Sequence, residues 1–232
     1  MKQIAIFGAS GPTGKLFTEL ALKNGYQVKA LVRDPSKLDL RHSNLQIIHG
    51  DAADSVKVEE TIKGAEAVIN LIGANLRRGA NLQQTATVWR TTTPNILSAM
   101  QQNNVERLIV VTSLPFALTA GIFDSNDKPR FMIQWLVNKF NILIFTIFIG
   151  KNLFEDLMED QRAYFDLIKQ SPLRWTIVRE PTLSDQPSKG NYRIGYLDAD
   201  TGKYVNRSDV AAFLLDVLVN DKYIRQMPIV SS

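Results

Sequence analysis

The stretch "IAIFGASGPTGKLF", Ile4 to Phe17, joins an apolar run to an amphipathic one through Gly8, Gly11 and Gly14. A β-branched apolar run that stops at glycine reads as a buried parallel strand. From Gly14 to Gly25, Leu16, Leu20 and Ala21 fall near one face at helical spacing, and Gly25 is a helix stop. A glycine turn between a first strand and a helix brings backbone N–H groups and the helix N-terminus toward a bound anion, usually a pyrophosphate. In that reading Gly8 permits the turn, Gly11 the approach of backbone to phosphate, and Gly14 close packing of helix on strand. The spacing is GxxGxxG, one residue longer than GxGxxG between the first two glycines. Its position after a first strand and before a helix is the context that dinucleotide binding requires.

Outward from this turn the chain alternates. "QVKALV" reads as a second strand and "DPSKL" as a helix start, with Asp34 as N-cap and Pro35 in the first turn. "LQIIHGD" reads as a third strand, with a short helix through Val58 and Ile62 after it. "AVINLIG" (Ala67 to Gly73), "RLIVVTS" (Arg107 to Ser113) and "WTIVRE" (Trp175 to Glu180) are the fourth, fifth and sixth, and a long helix ends near Asn104. "NRSDVAAFLLDVL" reads as a helix capped by Ser208 or Asp209, with Val210, Phe213, Leu214 and Val217 on its buried face. Alternation with near-continuously apolar strands predicts an α/β fold: a Rossmann-type, doubly wound parallel sheet covered on both faces. Residues 1–232 form one dinucleotide-binding domain with an apolar helical insert at about 118–158.

Composition narrows the chemistry. The chain has no cysteine, which removes thiolate metal sites, disulfides and thiol catalysis, and only two histidines, His42 and His49, which disfavours a histidine metal site or a serine–histidine triad. The formal charge of +4 is not gathered into a basic tract, so a nucleic-acid partner is not expected. The opening strand pattern lacks a charged segment and apolar h-region, so the expected compartment is the cytoplasm.

The second strand separates NAD from NADP. An acid at its tip would bind the ribose 2′-OH and repel a 2′-phosphate. Here the strand leaves through Val32 into Arg33, with Lys37 one helical turn on, and Arg33 can fork onto a phosphate. Asp34 is assigned to the helix cap because Pro35 follows it. The expected cofactor is NADP(H).

These residues resemble the atypical short-chain dehydrogenase/reductases, within them the flavin/biliverdin reductase group and the neighbouring NmrA-like proteins. The resemblance rests on "IFGASGPTG", "LVRDPSKL", Gly50–Asp51, "VINLIG", "NILSAMQQNNVERLIVVTS", "SPLRWTIVREPTLSDQPSKGNY" and "RSDVAAFLLDVL". It covers most of the chain except roughly Leu118 to Met158, and "SDQPSKGNY" is its most specific piece. It implies that Ser10, Gly11, Pro12 and Thr13 wrap the pyrophosphate, with Gly8 and Gly14 in the same turn, and that Arg33 and Lys37 hold the 2′-phosphate. It further implies Asp51 and Ala52 at the adenine, and Leu71, Gly73, Ala74 and Asn75 toward the nicotinamide ribose. Thr112 and Ser113 would end the fifth strand beside the nicotinamide, and Pro181, Thr182 and Leu183 would pass over it.

The sequence departs from carbonyl-reducing relatives, which use a Tyr-x-x-x-Lys pair to move a proton. The residues four positions after the six tyrosines are Ala30, Ile168, Tyr196, Asp200, Ser208 and Met227, so the pair is absent. Near Gln161 and Thr182 relatives carry basic residues, and here both are neutral; no general acid is evident. The expected reaction is hydride transfer from NADPH to a flat conjugated acceptor (a flavin such as FMN, or biliverdin), with the proton from solvent. A π-system of that size spreads the incoming charge. A quinone reductase, or a non-catalytic NADP-binding sensor, fits the same residues. Ser113 reads equally as a catalytic hydrogen-bond donor and as a strand-end hydroxyl holding the cofactor amide.

Arg78 with Arg77, and Leu114 with Pro115, are the candidate acceptor contacts; the arginines read equally well as a solvated pair. "RFMIQWLVNKFNILIFTIFIGKNLF" (Arg130 to Phe154) is too short in its uncharged run to span a bilayer, which needs about 20 apolar residues. A site-covering helix pair, a subunit interface and a membrane-surface patch all remain open for it.

Overall fold

Strand β1 (Gln3–Phe7) is buried from Ile4 to Phe7 in the computed structural model, which describes residues 2–74, 85–119, 121–128, 150–188 and 190–232. Its alternation sends Ile4 and Ile6 to one hydrophobic cluster and Ala5 and Phe7 to another. A strand apolar on both faces must be covered on both, and that requirement sets the layering.

The described elements that follow are α1 (Pro12–Lys23), β2 (Gln27–Val32), β3 (Leu45–His49), α2 (Ser55–Ile62), β4 (Ala67–Asn70), α3 (Val88–Gln102), β5 (Arg107–Ser113) and α4 (Leu114–Thr119). After them come α5 (Lys151–Gln170), β6 (Arg174–Glu180), β7 (Thr182–Ser184), β8 (Arg193–Gly195), β9 (Tyr204–Asn206), α6 (Arg207–Val219) and β10 (Ile229–Ser231). The main sheet runs β3-β2-β1-β4-β5-β6-β10-β8. It is parallel through β10, and β8 closes it antiparallel. Strand order reverses between β1 and β4, the switch point at which doubly wound sheets open a crevice for ligands. β7 and β9 form a separate parallel pair.

Helices α1 and α6 cover one face, packing Phe17, Ala21, Val210, Phe213, Leu214 and Val217 on Ile4, Ile6, Ile109 and Val178. Helices α2, α3 and α5 cover the other, with Val58, Ile62, Ile96, Phe165 and Ile168 on Ala5, Phe7, Val110 and Ile177. Three charged side chains buried in this frame are spent on structure. Arg107 of β5 donates to the carbonyls of Arg174, at 2.6 Å, and Lys222, at 3.1 Å, and meets Asp221. Arg179 of β6 forks onto Asp127 at 2.6 and 2.8 Å, and its Nε donates to Met227 O. Asp160 of α5 accepts the amides of Trp89 and Arg90, at 2.9 and 2.7 Å, in the first turn of α3.

The expected elements are present, with three corrections. "DPSKL" forms one 3-10 turn, Pro35–Lys37, rather than a helix; Leu38 leaves it at once to be buried in the core. β4 ends at Asn70, not Gly73, because the Asn70 side chain accepts the Ile72 amide and turns the chain. The cap position of α6 is Asn206, not Ser208 or Asp209, and no side chain caps it. Within the stretch read as an insert, α5 starts at Lys151, and Leu157 and Met158 are buried in the core. Residues 129–149, which hold most of that insert, lie outside the described residues. No helix among the described residues is long and apolar enough to cross a membrane.

Candidate functional site

At the carboxyl end of β1, Gly8 adopts φ +83°, and a Cβ there would lie 2.7 Å from the Leu71 backbone. Gly14 is more constrained: its Cβ would sit 2.1 Å from Gly8 O, so only glycine lets α1 lie this close to the strand. The turn closes with Gly11 N–H donating to Gly8 O at 3.0 Å. Gly11 is the cap residue of α1 and Pro12 its first helical residue, with no side-chain cap. Pro12 has no N–H, and the Thr13 and Gly14 amides precede the first intrahelical bond, Lys15 to Gly11 O. An uncapped 12-residue helix whose first amides lack acceptors, at the end of the first strand and beside the switch point, fits a pyrophosphate. Ser10 lies half-buried in the same loop.

On the neighbouring strand, Arg33 is exposed at the end of β2 and has no ion pair among the described residues. Asp34 does act as the local cap, accepting Ser36 N–H at 3.2 Å and Ser36 Oγ–H at 2.6 Å. That hydrogen bond, with Lys37 alongside, holds its carboxyl below the usual range. Lys37 faces Asp34 at 3.4 Å, so Arg33 is the less committed of the two cations. Asp51 closes a turn of its own by accepting Ala53 N–H at 2.9 Å, and Ala52 is buried with its carbonyl held by Asn95.

The loop after β4 passes beside the glycine turn, with the Leu71 amide donating to Phe7 O at 2.9 Å. Gly73 is exposed and Ala74 half-buried; Asn75, Arg77 and Arg78 lie outside the described residues. On β5, Thr112 and Ser113 point to opposite faces. Thr112 is buried on the α5 side, where Gln161 Nε2 donates to its Oγ1 at 2.8 Å. Ser113 is half-buried on the α1/α6 side, following Ile109 and Val111 in alternation. The two hydroxyls therefore do not share one wall. Leu114, expected at the acceptor, is buried with Leu118, Leu197 and Ile229, so its side chain is core; Pro115 is exposed. Beyond β6, Pro181 is buried, Leu183 half-buried and Thr182 exposed, with the Thr182 amide on Lys203 O at 3.1 Å.

One residue of this constellation escaped the sequence reading. Glu180 ends β6 as the register partner of Ser113 and is 9% exposed. Its Oε2 is sealed from solvent and has no hydrogen-bond partner among the described residues. Burial pushes its carboxyl up to about 8, against the opposing pull of the Arg207 guanidinium. A carboxyl pushed that high favours its protonated form at neutral pH, and it is an acid that the sequence reading did not name. The signal was a lone glutamate ending an apolar strand, which no motif marks. Tyr164, by contrast, is fully buried; burial raises its hydroxyl well above its ordinary value, and it stacks on Trp89. It is a core residue.

The NAD(P)H-binding family profile matches residues 8–221, from the first glycine of the turn to the end of the last helix. The chain is 27% identical over 243 residues to the reductase pytE of Aspergillus terreus, covering 93% of this chain and 91% of that protein. It is 26% identical over 232 residues to YwnB of Bacillus subtilis, covering 95% and 94%. A short-chain dehydrogenase/reductase from Veillonella parvula, solved in complex with NADP, shares the fold with a TM-score of 0.68 at 20% identity, over 100% of this chain and 94% of that one. Glycine turn, strand order and profile agree: the chain belongs to the NAD(P)H-binding family, with a reductase-like Rossmann fold.

Proposed function

We propose that the protein is an NADPH-dependent reductase that delivers hydride to a flat conjugated acceptor, a flavin such as FMN or biliverdin, as in the reductase group its motifs resemble. The observation that carries this reading is the uncapped start of α1 over the Gly8–Gly14 turn, with Arg33 exposed at the end of β2, an arrangement that suits a phosphorylated nicotinamide cofactor. The chain lacks the Tyr-x-x-x-Lys pair with which carbonyl reducers move a proton, which favours an acceptor that spreads the incoming charge over its own π-system. The reductase pytE and the NADP-bound Veillonella protein support the class of chemistry and the cofactor.

When bound, NADPH supplies the hydride. The chain's own residues hold and orient. The Thr13 and Gly14 amides at the start of α1 receive the pyrophosphate, and the glycine turn lets it approach the backbone. Arg33 forks onto the 2′-phosphate, a task that its exposure and lack of an ion pair leave it free to take. Leu71, Gly73 and Ala74 flank the path from there, and Ser113 meets the nicotinamide end. Pro181 to Leu183 cover it from the β6 side, held by the β7–β9 pair.

The test is NADPH oxidation at catalytic protein concentration against FMN, biliverdin and menadione, with NADH in parallel. Turnover well above the protein-free control is expected with at least one acceptor. Tight NADPH binding without any turnover would instead mark a non-catalytic NADP sensor. Arg33→Ala should weaken NADPH by about tenfold or more while leaving NADH nearly unchanged. Equal losses for both would sink the 2′-phosphate assignment.

A further inference from the structure

Beside Ser113 and on the same face of the sheet lies a buried acid that the proposed hydride transfer leaves unused. Ser113 and Glu180 are register partners at the carboxyl ends of β5 and β6. Ile109 and Val178 point to the α1/α6 side, and the two-residue period of a strand carries Ser113 and Glu180 to that side as well. Ser113 is half-buried, while the Oε2 of Glu180 on the adjacent strand is closed to solvent and unpartnered among the described residues. A carboxyl ending a strand immediately before Pro181, at the crevice end of the sheet, has no structural duty that its contacts reveal. A buried polar group left without a partner costs stability and calls for another reason to be there.

We propose that Glu180 is the proton store of the site, recharging the Ser113 hydroxyl as Ser113 gives its proton to the acceptor. The inference rests on the reductase reading above. One proton leaves Ser113 Oγ for the reduced acceptor, the Glu180 carboxyl returns one to Ser113, and water restores Glu180. The two electrons arrive with the hydride already assigned to NADPH. Glu180 acts through Ser113 and is a positioning residue in this scheme.

The charged surroundings suit the role. From α6, Arg207 faces Glu180, but its guanidinium is held by Asp185 at 2.5 Å. Asp209, two residues on, is bonded to Ser188 and Asn206. β5 contributes only Ser113 at this level, and β10 contributes Ile229 and Val230, which do not titrate. Burial is thus opposed by a single shared cation, and the carboxyl keeps its proton up to about pH 8.

A stored proton matters most for acceptors whose reduction places charge on oxygen, so a quinone should depend on Glu180 more than a flavin does. The experiment compares wild type, Glu180→Gln and Ser113→Ala for NADPH oxidation with menadione and with FMN, from about pH 6 to about pH 10. Infrared difference spectra of the nucleotide-free protein over the same range read the Glu180 carboxyl directly. With menadione, wild type should lose rate above about pH 8. Glu180→Gln should lower kcat on the order of 100-fold with little change in KM, and abolish that pH limb. Ser113→Ala should do the same, and both should act more weakly with FMN. The infrared band of a protonated carboxyl should vanish near pH 8 in wild type and be missing from Glu180→Gln.

Glu180→Gln with unchanged rate and an intact pH limb would overturn the inference while leaving the reductase standing, as would a Glu180 carboxyl already ionised at neutral pH. Wild type inert with every acceptor would overturn both. Glu180→Asp, which keeps the acid one methylene further back, guards against a folding defect: partial recovery of rate together with a restored pH limb supports the relay, and recovery of fold without rate refutes it.

Discussion

Arg179 and Glu180 are consecutive on β6, both buried, and meet opposite fates. Arg179 points to the α5 side and finds both oxygens of Asp127, with Met227 O on its third nitrogen. Asp127 in turn accepts the amides of Asp124 and Leu197, each at 2.9 Å. Burial alone would raise that carboxyl, but Arg179 and the two amides outweigh it and hold it below its usual value. Glu180 points to the α1/α6 side and finds the pull of the Arg207 guanidinium but, among the described residues, no hydrogen bond for Oε2. One strand therefore carries a charge that builds the fold and an acid that does not. The saturated group stabilises by being paired, whereas the unsaturated one is the candidate for the proton relay proposed above.

The sharpest way to break this contrast is to remove the partner on the saturated face. Asp127→Ala leaves the Arg179 guanidinium buried and unpaired, and should cost about 3–5 kcal/mol in urea unfolding. A loss under about 1 kcal/mol would show that water had reached Arg179 and that the two faces differ less than their contacts suggest.

Glu180→Gln should move stability in the opposite direction, and with pH. The folded carboxyl titrates near 8 against 4.5 for an ordinary glutamate, so the folded state holds one more proton than the unfolded state between those values. Stability therefore falls as pH rises from about 4.5 to about 8 and levels off above it. Glutamine removes that slope, and the variant should match wild type near pH 4.5 yet exceed it by about 1–3 kcal/mol near pH 9. Parallel unfolding curves for the two proteins across this range would place the proton elsewhere.

The smallest expected effect sharpens the comparison from the Arg179 side, where Gln161 Oε1 also lacks a partner. Gln161→Leu keeps the volume, removes that oxygen and deprives Thr112 of its donor. Stability should change by no more than about 1 kcal/mol, and NADPH oxidation should retain its pH limb. A lost limb would move the proton path to the α5 face.

The same contrast explains what could be read from the sequence. β1, β2 and β5 were legible to the residue, because apolar runs bounded by glycine or polar residues leave little choice of boundary. The glycine turn was legible because Gly8 and Gly14 answer to local backbone geometry. "DPSKL" misled because cap and proline announce a helix start, whereas its length was set by the burial of Leu38 in the core. The burial of Leu114 and the setting of Glu180 were not legible in the sequence. Each takes its role from neighbours far along the chain: Leu197 and Ile229 pull Leu114 into the core, and Ser113 stands beside Glu180. The opposite facing of Thr112 and Ser113 needed only the two-residue period, and the strand assignment already contained it.

The cap that α5 lends to α3 has a consequence for motion. Asp160 reaches across 71 residues to the amides of Trp89 and Arg90, so the first turn of α3 is satisfied only while α5 is docked. A helix capped from within its own loop can form and fray alone, but this one cannot. Amide exchange at Trp89 and Arg90 should therefore follow the opening of α5 as one cooperative unit, tying the start of α3 to a helix far along the chain.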